Sequence, residues 1–196
     1  EIDEEEVIRV PGHHLGNILL FDRASMSHYA LDWCAQNDVT VSRLDRNGRF
    51  IGRWVGPVSG NVLLRLEQFK VLNKNQKLVC SISRNLVKGK LMNSRAMLLR
   101  SARDIKNTES EENLRQAVKE IDSLLSKLDK CSNVEEIRGF EGRAAKVYFS
   151  CINDMLKVND DNFNFKGRKK RPPRDNVNAL FSYLYVILCH DCSSAL

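Results

Sequence analysis

Between residues 56 and 60 the chain reads GPVSG, and the spacing of its apolar residues changes there. Before that point apolar residues alternate with polar ones in short runs, which is the period of a strand. After it they recur every three to four residues, which is the period of a helix. The two patterns bury apolar surface of different shape, so a chain that changes once from one to the other is expected to be α+β. We therefore expect a β-rich N-terminal domain over 1–58 and an all-α C-terminal domain over 59–196. A length of 196 residues accommodates one or two domains.

In the first part, IRVPGHHLGNILLF (8–21) is punctuated by Pro11, Gly12 and Gly16 and ends in a short apolar run. SMSHYALDWCAQN (25–37) has helical spacing, with Met26, Tyr29, Ala30, Trp33 and Cys34 on one face and Ser25 placed as N-cap. VTVSRLDRNGRFIGRWV (39–55) predicts a hairpin: Val39 and Val41 alternate with polar residues, and Leu44 follows after a slip. Asn47-Gly48 suits a type I′ turn, which needs positive φ at both central positions.

The second part predicts helices. One begins with Leu63, Leu64, Leu66 and Phe69. Another carries Leu78, Val79, Ile82, Leu86 and Val87 and runs to about Arg103. A third is striped by Leu114, Val118, Ile121, Leu125 and Leu128, with Ser110 before it. Ser132 and Glu135 form an S-x-x-E capping box for a fourth. The loop NDDNFNFKGRKKRPPRD (159–175) precedes a last helix at about 176–191.

Charge and composition narrow the function classes. The acidic opening EIDEEEV does not resemble a signal peptide. The longest apolar run, ALFSYLYVILC, has 11 residues, whereas a membrane helix needs about 20, so no membrane association is expected. Six scattered cysteines without a secretion signal predict reduced thiols in a cytoplasmic protein. The formal net charge is +6, and it is unevenly spread. Residues 1–58 hold 6 Lys/Arg against 9 Asp/Glu, and residues 59–196 hold 25 against 16. A basic second half points to a polyanion, most commonly nucleic acid.

Two basic elements carry that expectation. KGRKKRPPR (166–174) gathers Lys166, Arg168, Lys169, Lys170, Arg171 and Arg174, with no acid before Asp175. Pro172-Pro173 stiffens its end, and Asp175 can cap the next helix. A solvated connector can carry such a run, but six cations repel one another unless a polyanion neutralises them, so we expect phosphate contacts with little sequence readout. Lys77, Arg84, Lys88 and Arg95, at spacings of 7, 4 and 7, keep to one helix face. Alone that reads as a solvent face; with the loop it suggests a shared groove.

RGFEGRAAKVYF (138–149) sets one acid, Glu141, among Arg138, Arg143 and Lys146. Gly139 and Gly142 flank it at a cost of about 1 kcal/mol each relative to alanine, which suggests a packing or site requirement. Two readings stay open: an intrahelical ion pair with Arg138 or near Lys146, or a carboxylate held for chemistry. One carboxylate does not make a divalent-metal site, which gathers several oxygen ligands. Cys189-His190-Asp191-Cys192 is half of a zinc pattern without its second pair, and Cys189 continues an apolar face. His13-His14 has no acid in ligand register, and Asp160 and Asp161 read as loop residues. No glycine-rich phosphate loop or nucleophile–base pair is present.

Several segments together resemble one family: IRVPGHHLGNILLF (8–21), LDRNGRFIGRWVG (44–56), GNVLLRLEQF (60–69), LVKGKLMNSRAMLLR (86–100), GFEGRAAKVYF (139–149) and RKKRPPRDNVNALFSYLYVIL (168–188). EG-x-AA-x-x-YF followed by RPP-x-D-x-x-NALxSYxY is the most specific part. The chain resembles the CRISPR-associated spacer-acquisition endonuclease/integrase, the universal first protein of those immunity loci, in its type I-C-like form. The resemblance implies a metal-dependent DNA endonuclease of the prokaryotic cytoplasm that inserts captured double-stranded DNA into CRISPR arrays. It implies a homodimer built through the β-domain and a small ferredoxin-like CRISPR-associated partner protein. It places the first Mg²⁺ or Mn²⁺ ligand on Glu141 and the cations of 168–188 beside the active-site groove. The family's other ligands, a histidine and an aspartate, lie downstream of the NALxSYxY helix, and His190 and Asp191 come too early to be those. The family's first strands fall before Glu1, so the chain is expected to be truncated at both ends. The alternative is a catalytically incomplete, basic DNA-binding or assembly module.

Overall fold

The computed structural model describes residues 8–57, 60–158, 160–169 and 173–195. By packing, the chain forms two units, Glu1–Gly60 with Ala179–Leu196, and Asn61–Asn178. The expected division put all of 59–196 together; the last helix differs because one face of its apolar run meets the sheet.

The first unit holds three strands in the order β1 (Asn17–Phe21), β2 (Thr40–Leu44), β3 (Phe50–Trp54). β1 and β2 are parallel, as the intervening helix α1 (His28–Gln36) allows, and β2 and β3 form the expected hairpin. The pleat sorts side chains between two faces. Val39 and Val41 bury with Cys34 against Ile18, Leu20, Met26, Leu31 and Trp33. Ser42 and Leu44 take the other face, where Phe21 meets Tyr183 and Phe50 stacks on His190 of α7 (Asn176–Ala195).

Local chemistry shifted several details. Ser27, not Ser25, caps α1 by accepting from Ala30 N. Tyr29 is exposed, and Leu31 takes the core position instead. The hairpin does not use a type I′ turn. Gly48 has a φ of 78°, and Asn47 is not among the residues with positive φ. Asp45 explains this: its carboxylate accepts from Asn47 N and Arg49 N at 2.8 Å, and its carbonyl accepts from Gly48 N. An aspartate that caps its own turn favours a type I turn with a glycine bulge. The slip before Leu44 is a register shift between Arg43 and Leu44. Where the chain leaves the sheet, a Cβ on Gly56 would lie 2.1 Å from the Ala35 carbonyl oxygen, so only glycine fits.

The second unit contains α2 (Val62–Lys74), α3 (Gln76–Asp104), α4 (Thr108–Leu128), α5 (Val134–Ser150), the short α6 (Ile152–Met155) and the first residues of α7. Its core is a three-helix seam. α3 supplies Leu91, Leu98 and Ala102, α4 supplies Leu114, Ala117, Val118, Ile121 and Leu124, and α5 supplies Ala144. Each fully buried Leu or Ile contributes about 1.5–3 kcal/mol relative to exposure. A smaller cluster of Cys80, Leu128, Cys131 and Ile137 closes one end. The α3 stripe expected from Leu78, Ile82 and Leu86 is exposed; the buried row begins two residues later, at Cys80. α5 starts one residue later than its expected box: Asn133 accepts from Glu136 N, and Glu136 accepts from Ser132 N. α4 is capped by Asn107 rather than preceded by Ser110. Among the described residues no helix is long and apolar enough to cross a membrane. The six cysteines are unbridged.

Candidate functional site

Burial of Ile137 and Ala144 fixes which side of α5 faces α3 and α4. Glu141 lies on the same side, at the rim of that seam, with its side chain 30% exposed. Its carboxylate accepts from Lys90 Nζ of α3, 51 residues away. Glu141 is therefore ion-paired, but with neither partner that intrahelical spacing offered. Arg138 pairs with Glu135 at 3.1 Å, and Arg143 pairs with Glu120 at 3.0 Å. Lys90 is more than half exposed, and a pair this open is worth about 0–1 kcal/mol, so its hold on Glu141 is weak. A Cβ on Gly139 or Gly142 would meet nothing within 4 Å, so packing among the described residues does not require either glycine.

Mg²⁺ and Mn²⁺ need several oxygen ligands. Among the described residues no three His, Cys, Asp or Glu side chains come together. These residues supply one carboxylate and do not by themselves fit a divalent ion. The half-zinc pattern is likewise dispersed: Asp191 accepts from Asn17, and His190 stacks on Phe50 near Arg53. Burial, then the Arg53 charge, pushes the His190 pKa down. His13 and His14 lie side by side in the short turn Gly12–His14 with their rings tilted by 46°, and Asp160 caps the turn Asp161–Phe163.

The two basic elements part company. On α3, residues 84, 88 and 95 interleave with the buried Cys80, Leu91 and Leu98, so they face α4 rather than away from the unit. Arg84 Nη2 donates to the Cys131 carbonyl at 2.5 Å, Lys88 pairs with Asp129 at 2.8 Å, and Arg95 pairs with Asp122 at 2.6 Å. Lys77, at the helix start, is exposed.

In the loop, Lys170 and Arg171 lie outside the described residues. Asn159 and Pro172 lie outside them too, and the described part of the loop is held through its backbone. Asn153 brackets the buried Phe165, donating to its carbonyl and accepting from its N–H. Asn178, fully buried, accepts from Lys169 N and from Arg168 Nη1, and donates to the Gly167 carbonyl and to Asp175. Gly167 turns the chain there with a φ of 100°, a conformation that favours glycine. Asp175 caps α7 through Asn178 N; that side chain's hydrogen bond is the main reason its carboxyl titrates below the usual range. Lys166, Lys169 and Arg174 are exposed. Phe149 of α5 stacks on Phe165, with centroids 6.1 Å apart. Eight residues, about 12 Å of helix, separate Phe149 from Glu141, so α5 ties the acid to the start of the basic loop. Charge counting overlooked Asn153 and Asn178; Asn178 stood in view as the first residue of NALxSYxY.

Known proteins with this sequence pattern agree on its class. The CRISPR-associated endonuclease Cas1 1 of Moorella thermoacetica is 38% identical over 195 residues, covering 100% of this chain and 57% of that protein. The CRISPR-associated endonuclease Cas1 1 of Chlorobaculum tepidum is 39% identical over 195 residues with the same coverage. The chain thus spans 57% of the length of these relatives. A solved Cas1 protein from Thermotoga maritima shares the fold, with a TM-score of 0.70 at 23% identity over 94% of this chain and 55% of its own. The family described as CRISPR associated protein Cas1 matches residues 1–196 throughout, and this chain belongs to it.

Proposed function

We propose that the chain is part of a DNA endonuclease and integrase of CRISPR adaptation, of the type I-C-like form, which inserts captured DNA into an array. The observation that carries this is the 38–39% identity, over the whole chain, to two proteins named as Cas1 endonucleases. Glu141 would give one carboxylate to Mg²⁺ or Mn²⁺, and the other ligands would come from outside the described residues. The chemistry such an ion would supply, when bound, is polarisation of a phosphate and activation of a hydroxyl or water. The chain's own residues have two tasks in this reading. Glu141 keeps a weakly held carboxylate at the α3/α5 rim, and Lys166, Arg168, Lys169, Lys170, Arg171 and Arg174 bind DNA phosphates. Lys77, exposed at the start of α3, would add charge to the same field, whereas Arg84, Lys88 and Arg95 are held by acceptors within the chain. A homodimer and a small ferredoxin-like partner belong to the same proposal.

The test uses the intact protein. Glu141→Ala should abolish Mn²⁺-dependent cutting and strand transfer while duplex binding survives; unchanged cutting would overturn the assignment. One observation favours a second reading, a basic DNA-binding or assembly module: the only carboxylate proposed as a ligand is ion-paired to Lys90. Duplex binding by wild type, without any metal-dependent cutting, would establish that reading instead.

A further inference from the structure

Among the described residues, the α1 side of the sheet is incompletely covered. Val41 is buried beneath α1, but Arg43, the next residue on that face, is exposed, and a cavity of ≈ 400 Å³ opens beside it. Met26 and Leu31 give it an apolar wall, and Arg23, Arg43, Gly52 and Trp54 complete its working surface.

Strand register builds the opening. Trp54 lies opposite Val41, and Gly52 lies opposite Arg43. A cross-strand partner would normally fill the space beside Arg43, but a Cβ on Gly52 would meet nothing within 4 Å. The result is a slot with a guanidinium at one side and an indole, 47% exposed, at the other. At the end of β1, Asp22 adopts a φ of 51° and donates its N–H to the Leu44 carbonyl, turning the chain so that Arg23 joins the lining. Arg53 lines the cavity too, but its head is spent on the opposite face, where Nε donates to Ser42 Oγ. No acid is among the described lining residues, so these supply no carboxylate to Arg23 or Arg43.

A guanidinium matches phosphate geometry, and an indole stacks on a nucleobase. The volume lies in the ~300–1,000 Å³ range of small-ligand sites. We propose that this cavity binds one unpaired nucleotide of a DNA strand, with its base on Trp54 in the slot above Gly52 and its phosphate on Arg43 and Arg23. A base within a duplex is stacked on both sides and cannot enter. That the nucleotide belongs to a strand, and is not free, rests on the DNA-acting function proposed above.

The intact protein can be titrated with fluorescein-labelled oligothymidylate, with thymidine 5′-monophosphate as competitor, and with a blunt duplex. An oligonucleotide carrying 5-iodouracil can be photo-crosslinked and the attachment mapped by mass spectrometry. We expect attachment at Trp54. Arg43→Gln and Gly52→Val should weaken oligothymidylate binding at least fivefold, the low end of what one stacked base contributes. Trp54→Phe should retain binding, and duplex binding should not change in any of these variants. Oligothymidylate binding unaltered by Arg43→Gln and Gly52→Val, or attachment away from Trp54, overturns the site while leaving the duplex-binding function standing. Competition by the monophosphate as strong as by the oligonucleotide overturns the strand assignment. Wild-type protein that binds neither DNA form sinks both the site and the function it rests on. The crosslink in wild type decides the matter even where a variant fails to fold.

Discussion

Two groups of cations look alike in sequence and differ in structure. The α3 stripe sets its charges on one face, and the loop after Phe165 sets its own in one short run of sequence. On α3 that face also carries Cys80, Leu91 and Leu98, so Arg84, Lys88 and Arg95 reach across the seam to acceptors at the end of α4 and near it. In the loop, Asn153 and Asn178 hold the backbone, and Lys166 and Lys169 are exposed. Charge spacing tells which residues share a face. The apolar residues interleaved with them tell what the face meets.

The contrast can be broken by substitution. Asn178→Ala has the largest expected effect on stability, about 2–4 kcal/mol, because it strands several buried backbone and side-chain partners at once. Urea denaturation measures it, and salt-sensitive DNA binding should fall with it as the loop loses its anchor. The same variant tests a pH effect. Asp175 is held below the usual carboxyl range chiefly by Asn178. Its stabilising contribution is present above the unfolded carboxyl pKa and is lost as pH falls through the depressed folded value, so the variant should lose that part of its acid sensitivity.

Arg84→Met comes next, at about 1 kcal/mol. It leaves the Cys131 carbonyl with only the weak Cys80 thiol donor at 4.0 Å, a cost toward the low end of about 1–3 kcal/mol, and it also removes Arg84 Nε, which is buried without a hydrogen-bond partner, and this offsets part of the loss. The smallest stability changes belong to exposed lysines, and here binding separates the two groups. Lys166→Gln with Lys169→Gln should change stability by less than about 0.5 kcal/mol while the slope of log affinity against log salt falls by about 1.8. Lys88→Gln should cost at most about 1 kcal/mol and leave the slope alone. A slope that moves equally in both variants would erase the distinction between stripe and loop.

Much of the fold was legible because period is a local property. The change at GPVSG marked the end of the sheet strands, and Leu114, Val118, Ile121 and Leu128 proved to be the buried row of α4. Features set by distant residues were not legible. No spacing rule could pair Glu141 with Lys90, which lies on another helix, or predict that Tyr183 and His190 would lie against Phe21 and Phe50. The caps moved by one to three residues, to Ser27, Asn107 and Asn133, because several neighbouring side chains could serve and the backbone chose between them. The candidate acid was visible in its motif; the network that anchors the basic loop was not, since asparagine carries no charge to count.

The open space around Gly139 and Gly142 has a consequence for motion. Each glycine weakens the helix by about 1 kcal/mol relative to alanine, and no neighbour within 4 Å compensates. The turn bearing Glu141 is thus expected to be a weak point in the middle of α5. Amide hydrogens of residues 139–143 should exchange with solvent faster than those of 146–150, and Gly142→Ala should slow them. A carboxylate on a breathing turn can trade one cation for another at small cost, which a rigid helix would not permit.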